Sequence, residues 1–524
     1  MSYPSIFNDV LGPVMRGPSS SHCAASLRIG RLCLDLMDGH ISKVEIEFDP
    51  DGSLATTHEA QGSDMGLFGG FLGWEADDER LENAGEHIAR AGIEIDIKIT
   101  ELEEKHPNTY KITLHNPREK RELIALSTGG GMIEVIGIDG AKVDMDGGYF
   151  ETLIYTTDQS LILNYLKSNI AFEDLEVHES GNLTFIEVKS RSPIDDIFVQ
   201  ELNGLEEVLF VKGLRPVLPV FSKKNLKVPF ITCAEMYTYN EDKNLDLWEL
   251  AVHYESQRGS ISHDEVIEKM RGIHGIMKAS IETGLKGTQY EDRILGSQSP
   301  KFKKLMDSNK LIDGAGTLNR IVSYVSAIME VKSSLGVIVA APTAGSCGAM
   351  PGAVIAVGDA LSLTEDEVVK AMLVAGLIGV FIAAHSTFAA EVGGCQAECG
   401  SGSTMAAAAI VGLAGGSLDQ GICAASMALQ SSLGMICDPI GNRVEAPCLN
   451  RNVMAASNAL SCANMALADY DHLIPLDQVI ETMYEVGKSI PNTLRCTNLG
   501  GLSITKAAKE IEEKLGKQYF YKNC

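Results

Sequence analysis

Three cysteines in the C-terminal half stand on turns that glycine and proline make tight: Glu391-Val-Gly-Gly-Cys395, Cys437-Asp-Pro439 and Ala446-Pro-Cys448. Proline fixes φ and limits what a ligand-bearing loop can sample, and cysteine beside proline recurs at iron–sulfur sites. Three thiolates so placed can hold an iron–sulfur cluster with one iron left open, and an open iron is a Lewis acid. Spacing alone leaves a second reading open, in which these are buried cysteines packing as small hydrophobes. The pattern is not that of a zinc site, since Cys395-x-x-x-Cys399 is no CxxC pair. Cys524, the final residue of the sequence, is a fourth candidate ligand.

Polar groups suited to a small anionic substrate occur in three places. Ser19-Ser20-Ser21-His22 sets hydroxyls and an imidazole directly before a helix, where free N–H groups favour an anion; such serines also serve as plain N-caps. The turn Thr343–Cys347 offers the Thr343 and Ser346 hydroxyls and backbone N–H groups to a carboxylate. Arg451 suits bidentate carboxylate binding, or else a surface salt bridge. Ser127-Thr-Gly-Gly-Gly131 could cradle an anion, and is read here as a glycine turn between two strands.

The chain has 524 residues, enough for two to four domains with ample core. A formal charge of −26 repels phosphate backbones, so nucleic acid is excluded as the expected partner. Twelve cysteines are too sparse for a disulfide scaffold, and nine of them lie from Cys347 onward, which points to a reducing compartment and a metal or reactive site. Met1-Ser-Tyr-Pro-Ser lacks a basic and an apolar signal region, so a cytoplasmic location is expected. Residues 333–358 and 371–390 are apolar enough to raise a membrane reading, but Pro342, Pro351, His385 and Glu391 interrupt or flank them, and buried core helices fit better.

These groups must be positioned by elements, and the elements follow from pattern. A helix is predicted near 23–37 and strands at Lys43–Phe48, Ile93–Ile99, Tyr110–Leu114 and Ile133–Ile138. Residues 148–216 read as βαββαβ, with helices at Leu161–Lys167 and Ile194–Leu202; that order resembles an ACT-type regulatory module, and any ferredoxin-like domain gives it too. Residues 217–229, rich in proline and lysine, read as a linker. Ser262-x-x-Glu265, Thr364-x-x-Glu367 and Ser417-x-x-Gln420 are capping boxes that start helices. Further helices are predicted at 318–334, 451–468, 476–488 and 502–515. The expected architecture is an α+β N-terminal domain (1–147), an ACT-like βαββαβ module (148–216), the linker, and a large, mostly α-helical catalytic domain (230–524).

Five ordered motifs carry a resemblance. Ala341-Pro-Thr-Ala-Gly-Ser-Cys347-Gly-Ala-Met-Pro-Gly352, Gly394-Cys395-Gln-Ala-Glu-Cys-Gly400, Cys437-Asp-Pro439 and Val444-Glu-Ala-Pro-Cys448-Leu-Asn-Arg451-Asn452 look like the catalytic part of iron–sulfur-dependent L-serine dehydratases. Gly12-Pro-Val-Met-Arg-Gly-Pro-Ser19-Ser-Ser-His22 looks like that family's β part, so the chain resembles the two-subunit type joined end to end. The resemblance implies a [4Fe–4S] cluster on Cys395, Cys437 and Cys448, with Cys524 as a cap on the open iron, and the elimination of water from L-serine to give pyruvate and ammonia. It implies substrate contacts from Ser19, Ser20, Ser21, Ser63, Asp64, Thr343, Ser346 and Arg451, with His22 orienting substrate or shuttling a proton. The partner is then a small amino acid rather than nucleic acid or a membrane, and a homodimer is the default assembly. The sequence departs from the family where a histidine base is usual: Gln61 stands there and cannot take a proton at neutral pH. His58 and His385 are the alternative catalytic histidines. Another small hydroxy or thiol acid as substrate, or a cluster-bearing serine sensor without turnover, are the alternative functions.

Overall fold

The computed structural model describes residues 3–522 apart from residues 182, 292 and 313, with side chains described to residue 515; the candidate cap Cys524 lies outside the described residues. Contacts divide the chain into two compact units. One comprises Met1–Ser20, Gly129–Gly131 and Lys227–Cys524, the other Ser21–Thr128 and Met132–Leu226.

The N-terminal segment is part of the helical unit. Ser5 caps the turn Ile6–Val10 and donates its hydroxyl to Glu255 at 2.5 Å, while the Ile6 N–H donates to the other Glu255 oxygen at 2.7 Å. Glu255 lies on the buried side of the helix Leu247–Gly259. Strand β1 (Val14–Met15) pairs antiparallel with residues Ile338–Val339. Helix Glu365–His385 receives the segment because glycines leave room: a Cβ at Gly376 would lie 2.6 Å from Ile6, and one at Gly379 would lie 2.1 Å from Val10.

In the other unit, alternation builds the first sheet. Strands β2 (Lys43–Phe48), β3 (Glu94–Ile99), β4 (Thr109–His115), β5 (Lys120–Gly129), β6 (Met132–Ile138) and β7 (Ala141–Met145) lie in the order β3-β2-β4-β5-β6-β7, with β2 parallel to β3 and antiparallel to β4. Val44, Ile46 and Phe48 point inward at period two. Helices Ala25–Leu36 and Ser63–Phe71 approach through their glycines, since a Cβ on Gly70 would lie 2.3 Å from the Leu27 carbonyl. The Ser127–Gly131 run is the turn from β5 to β6, with φ positive at Gly129, Gly130 and Gly131.

Strands β8 (Phe150–Thr156), β9 (Asp174–Ser180), β10 (Leu183–Ser190) and β11 (Val208–Leu214) form a second sheet, ordered β11-β8-β10-β9 with every pairing antiparallel. With helices Gln159–Asn169 and Asp196–Asn203 this is a βαββαβ fold of ferredoxin-like order. Its two faces serve different cores. Ile154, Ile186 and Val188 pack under the two helices, whereas Leu153, Tyr155 and Phe185 join the core of the six-stranded sheet. The proline- and lysine-rich stretch after it has no helix or strand, yet its first half is fastened: the Val217 and Ser222 N–H groups donate to the Gly147 and Gly148 carbonyls at 2.8 and 2.9 Å.

The second sheet also buries a charged group. Glu151 on β8 stands opposite Lys189 on β10, next to Glu187, whose carboxylate takes His178 Nε2 at 2.6 Å and the Lys189 ammonium at 3.2 Å. Glu176, His178 and Glu187 bring ligand atoms within 4.8 Å of one another, and Lys189 is the cation already among them. Both Glu151 oxygens are buried without a hydrogen-bond partner. Burial first, and the Glu187 charge second, hold its carboxyl well above the usual carboxylate range. A raised carboxyl binds its proton more tightly when folded, so the stability it contributes is complete below the unfolded value of about 4.3 and is lost as pH rises through the folded value. Glu151→Gln is therefore expected to raise the melting temperature at pH 8 and to have little effect at pH 4, a difference that thermal unfolding at the two pH values checks.

The helical unit carries the remaining elements, including a short strand β12 (Ile338–Val339). Helix Ser401–Leu413 packs against helices Ala349–Leu361, Glu365–His385, Leu418–Gln430 and Cys448–Leu467. Ala406, Ala407, Ala408 and Ala409 on it are fully buried, and residues this small let neighbouring helices close on every side. Each predicted capping box forms: Ser262 with Glu265, Thr364 with Glu367 and Ser417 with Gln420. Ala344–Leu361 and Glu365–His385 are long and apolar enough to cross a membrane, and most of each is buried inside the structure.

Candidate active site

The three predicted cysteines come together in the helical unit. Cys395 precedes the turn Gln396–Gly400, Cys437 lies on a loop and Cys448 is the first residue of helix Cys448–Leu467. All three are buried. Gly394 holds φ 74°, and a side chain there would meet the Met435 carbonyl at 2.7 Å; this close approach brings Cys395 and the Cys437 loop side by side.

Two further thiols join them. Cys399 Sγ is 3.6 Å from Cys395 Sγ, and Cys496 packs with Cys395, Cys399 and Cys437 in one cluster. The described cysteines are all free thiols. Two cations lie among them. Arg451 donates to Asp438 at 2.5 Å and to the Cys395 sulfur, and fully buried Lys332 donates to the Val444 carbonyl. A hydrogen bond from Cys399, with the Arg451 charge in support, brings the Cys395 thiol down to about 7 against the opposing effect of burial. Burial pushes the Cys448 thiol up, against the Lys332 charge.

This donor set fits a multi-iron cluster better than a single ion. Among the described residues, only Glu176, His178 and Glu187 gather three ligand atoms within 4.8 Å of one another, so the thiols are spread more widely than one ion requires. A cluster takes each thiolate on a separate iron. The two buried cations offset the negative charge that such thiolates carry.

The substrate-side residues fall into groups. The Thr343 hydroxyl donates to Glu398 at 2.6 Å, and Ser346 caps the same turn through the Thr343 N–H at 3.3 Å. Gly345 gives the Glu398 carboxylate room against the turn, since a Cβ there would lie 2.7 Å from its oxygen. The Ser20 hydroxyl accepts from the Ala344 N–H at 3.3 Å. Ser19 is buried on the same segment. Arg451 is committed to Asp438, which also accepts the Leu502 N–H at 2.7 Å. His385 uses Nε2 on the Ile231 carbonyl at 3.1 Å.

The other unit holds its own polar group. His22 is fully buried, hydrogen-bonded to Thr57 at 2.9 Å, and lowered to about 3 by burial and then by the nearby His58. His58 pairs with Asp64 at 2.9 Å, which raises it above the usual range against the effect of burial. The Ser63 hydroxyl bonds Tyr110 at 3.0 Å, and the Ser21 carbonyl accepts from Ser127 at 2.7 Å. Gln61 is buried, and its amide nitrogen has no partner.

Residues that the sequence reading left without a role hold the site together. Asn452 accepts from the Gly348 and Ala349 N–H groups at 3.1 and 2.9 Å and donates to the Gly345 carbonyl at 2.8 Å, tying the Cys448 helix to the Thr343–Cys347 turn. Burial first, and the Cys395 charge second, raise the Glu398 carboxyl to about 8. Glu398 and Asn452 both lie inside motifs that carry the family resemblance, and that membership was their signal in the sequence. For Cys496 there was none beyond its being a cysteine.

Comparison with known proteins places these residues in context. A family model described as serine dehydratase alpha chain matches residues 242–503. The chain is similar to a probable L-serine dehydratase alpha chain of Bacillus subtilis, 36% identical over 286 residues, 55% of this chain and 95% of that one. It is also similar to the probable beta chain from the same organism, 31% identical over 218 residues, 40% of this chain and 98% of that one. L-serine dehydratase 1 of Escherichia coli is 32% identical over 283 residues, 53% of this chain and 62% of that one.

Proposed function

Because the chain belongs to the L-serine dehydratase family, with β and α parts fused, and is a carbon–oxygen lyase of that kind, we propose that it converts L-serine to pyruvate and ammonia at a [4Fe–4S] cluster. The observation that carries this reading is the convergence of buried, unbridged Cys395, Cys437 and Cys448 beside Arg451 and Lys332. Those three cysteines would hold the cluster, which supplies Lewis-acid polarisation of the leaving hydroxyl.

The chain's own groups do the rest. Glu398 is the proton acceptor of this reading: burial raises its carboxyl to about 8, Thr343 fixes one oxygen, and the other is left for the Cα proton. This supplies a base where Gln61 cannot. Arg451, the turn N–H groups and the Ser20 and Ser346 hydroxyls provide the donors for a substrate carboxylate. Asp438 holds the guanidinium in place, and Asn452 holds the turn. The elimination yields an enamine, which tautomerises and hydrolyses once released to water. The βαββαβ fold is proposed as an ACT-like regulatory module, supported by its strand order.

Anaerobic purification followed by a visible-absorption spectrum and a pyruvate assay on L-serine tests the reading. A brown protein that releases pyruvate is expected. A colourless, iron-free protein with full turnover would overturn the cluster, and an iron-loaded protein that binds serine without turnover would establish the sensor instead.

A further inference from the structure

A cavity of about 350 Å³ opens in the helical unit, between the starts of helices Leu247–Gly259, Glu365–His385 and Leu418–Gln430 and the end of Ser401–Leu413. That volume is in the range of small-molecule sites. It is separate from the thiol site. Ser401–Leu413 starts directly after the Gln396–Gly400 turn and ends at the cavity, and its 13 residues, at about 1.5 Å each, put about 20 Å between the two. Missing side chains make the hollow. Gly412, Gly415, Gly416 and Gly421 line it, and a Cβ on Gly412 would meet no atom within 4 Å. Leu247 fits against the bare backbone of Gly421, where a Cβ would lie 2.7 Å from it. The floor is apolar and buried, formed by Leu247, Ala371, Val374, Ala408 and Leu413. Such a floor favours an aliphatic group.

The rim decides the charge of the ligand. Asp246, Glu367 and Lys370 stand there. Both carboxylates are engaged by helix caps: Asp246 accepts the Glu249 N–H, and Glu367 accepts the Thr364 N–H and hydroxyl at 2.7 and 2.6 Å. Lys370 has no hydrogen bond or ion pair among the described residues. Its ammonium rests 4.3 Å from the centroid of the Trp248 ring, which holds the cation over the cavity without neutralising it. The Leu418 N–H, first of its helix, has no partner within that helix and adds a donor at the same rim. The uncommitted polar groups are therefore donors, and the group they suit is an anion.

We propose that this cavity is a binding site for a small aliphatic carboxylate, whose tail lies on the apolar floor and whose carboxylate pairs with the Lys370 ammonium beside the Trp248 ring. The site stands independently of the cluster reading above, because none of its residues belongs to the thiol site. Binding there is non-covalent and leaves the ligand unchanged.

Hexanoate is the probe, with hexanol as its neutral counterpart. The chain has two tryptophans, Trp74 and Trp248, so intrinsic fluorescence reads the site directly. Hexanoate is expected to change the emission saturably in the wild-type protein and not in Trp248→Phe, and hexanol to bind about fivefold more weakly. Lys370→Met is expected to weaken hexanoate by the same factor and to leave hexanol unchanged. Gly412→Leu, which fills open space, is expected to abolish both while circular dichroism stays that of the wild type. The proposal is overturned by the absence of a saturable change, by a change that persists in Trp248→Phe, by hexanol binding as tightly as hexanoate, or by hexanoate affinity that Lys370→Met leaves intact. Should Gly412→Leu not fold, the Lys370→Met result decides alone.

Discussion

Cys448→Ser is expected to give a folded protein without an intact cluster, in which serine turnover falls by more than the about 10–100-fold that losing an outer-shell partner costs a metal site. The choice of cysteine matters. Cys395 has Cys399 Sγ at 3.6 Å and Cys437 has Cys496 bonded to it, companions that can take over a vacated position. Cys448 opens helix Cys448–Leu467, where serine is well tolerated sterically and preserves the backbone that Asn452 binds at 2.9 Å. Circular dichroism and iron content read the outcome. A Cys448→Ser protein with full iron and full activity would remove this residue from the ligand set.

Glu398→Gln is expected to lower kcat by about 10²–10⁴-fold, the usual worth of a positioned general base. The carboxamide oxygen still accepts the Thr343 hydroxyl, so binding of serine should change little and the loss should appear in kcat rather than KM. The pH profile adds an independent reading. In the wild-type enzyme the carboxyl, raised to about 8, must be ionised to accept a proton, so activity rises with pH through that value. The variant should lack this limb. If it retains both the rate and the rising limb, the base lies elsewhere, and His58, held by Asp64, becomes the group to change.

What could be read from the sequence, and what could not, follows from the range of the interactions concerned. β2, β4 and β6 are legible because one face is buried and alternation records it. β5 escapes because Arg121 takes an inward position and breaks the apolar pattern; its guanidinium is held by Glu119 and Asp139. In the helical unit, Glu365–His385 and Ser401–Leu413 are buried on nearly every side, so periodicity names no face, and the capping box at Thr364 is what marks the start of the first. In helix His263–Lys286, His274 is buried despite its polar ring, because Glu365 satisfies that ring. The three cluster cysteines are legible because local turn chemistry surrounds each. Cys496 and Asn452 are not, because their meaning lies in partners about 50 to 100 positions away in the chain. The pairing of β1 with β12 is two residues long and leaves no pattern at all.

That pairing has a consequence for how the protein is made. Ser5, Arg16 and Ser20 leave the ribosome well before their hydrogen-bond partners Glu255, Leu335 and Ala344, which lie 250, 319 and 324 positions later. At about 5–20 residues per second, the partners of Ser20 emerge roughly 16–65 s after it does. Through that interval the apolar run Ile6–Val10 has no groove to enter. Translation therefore keeps this segment waiting for the middle of the chain, and its place in the helical unit can form only after Ala344 has emerged.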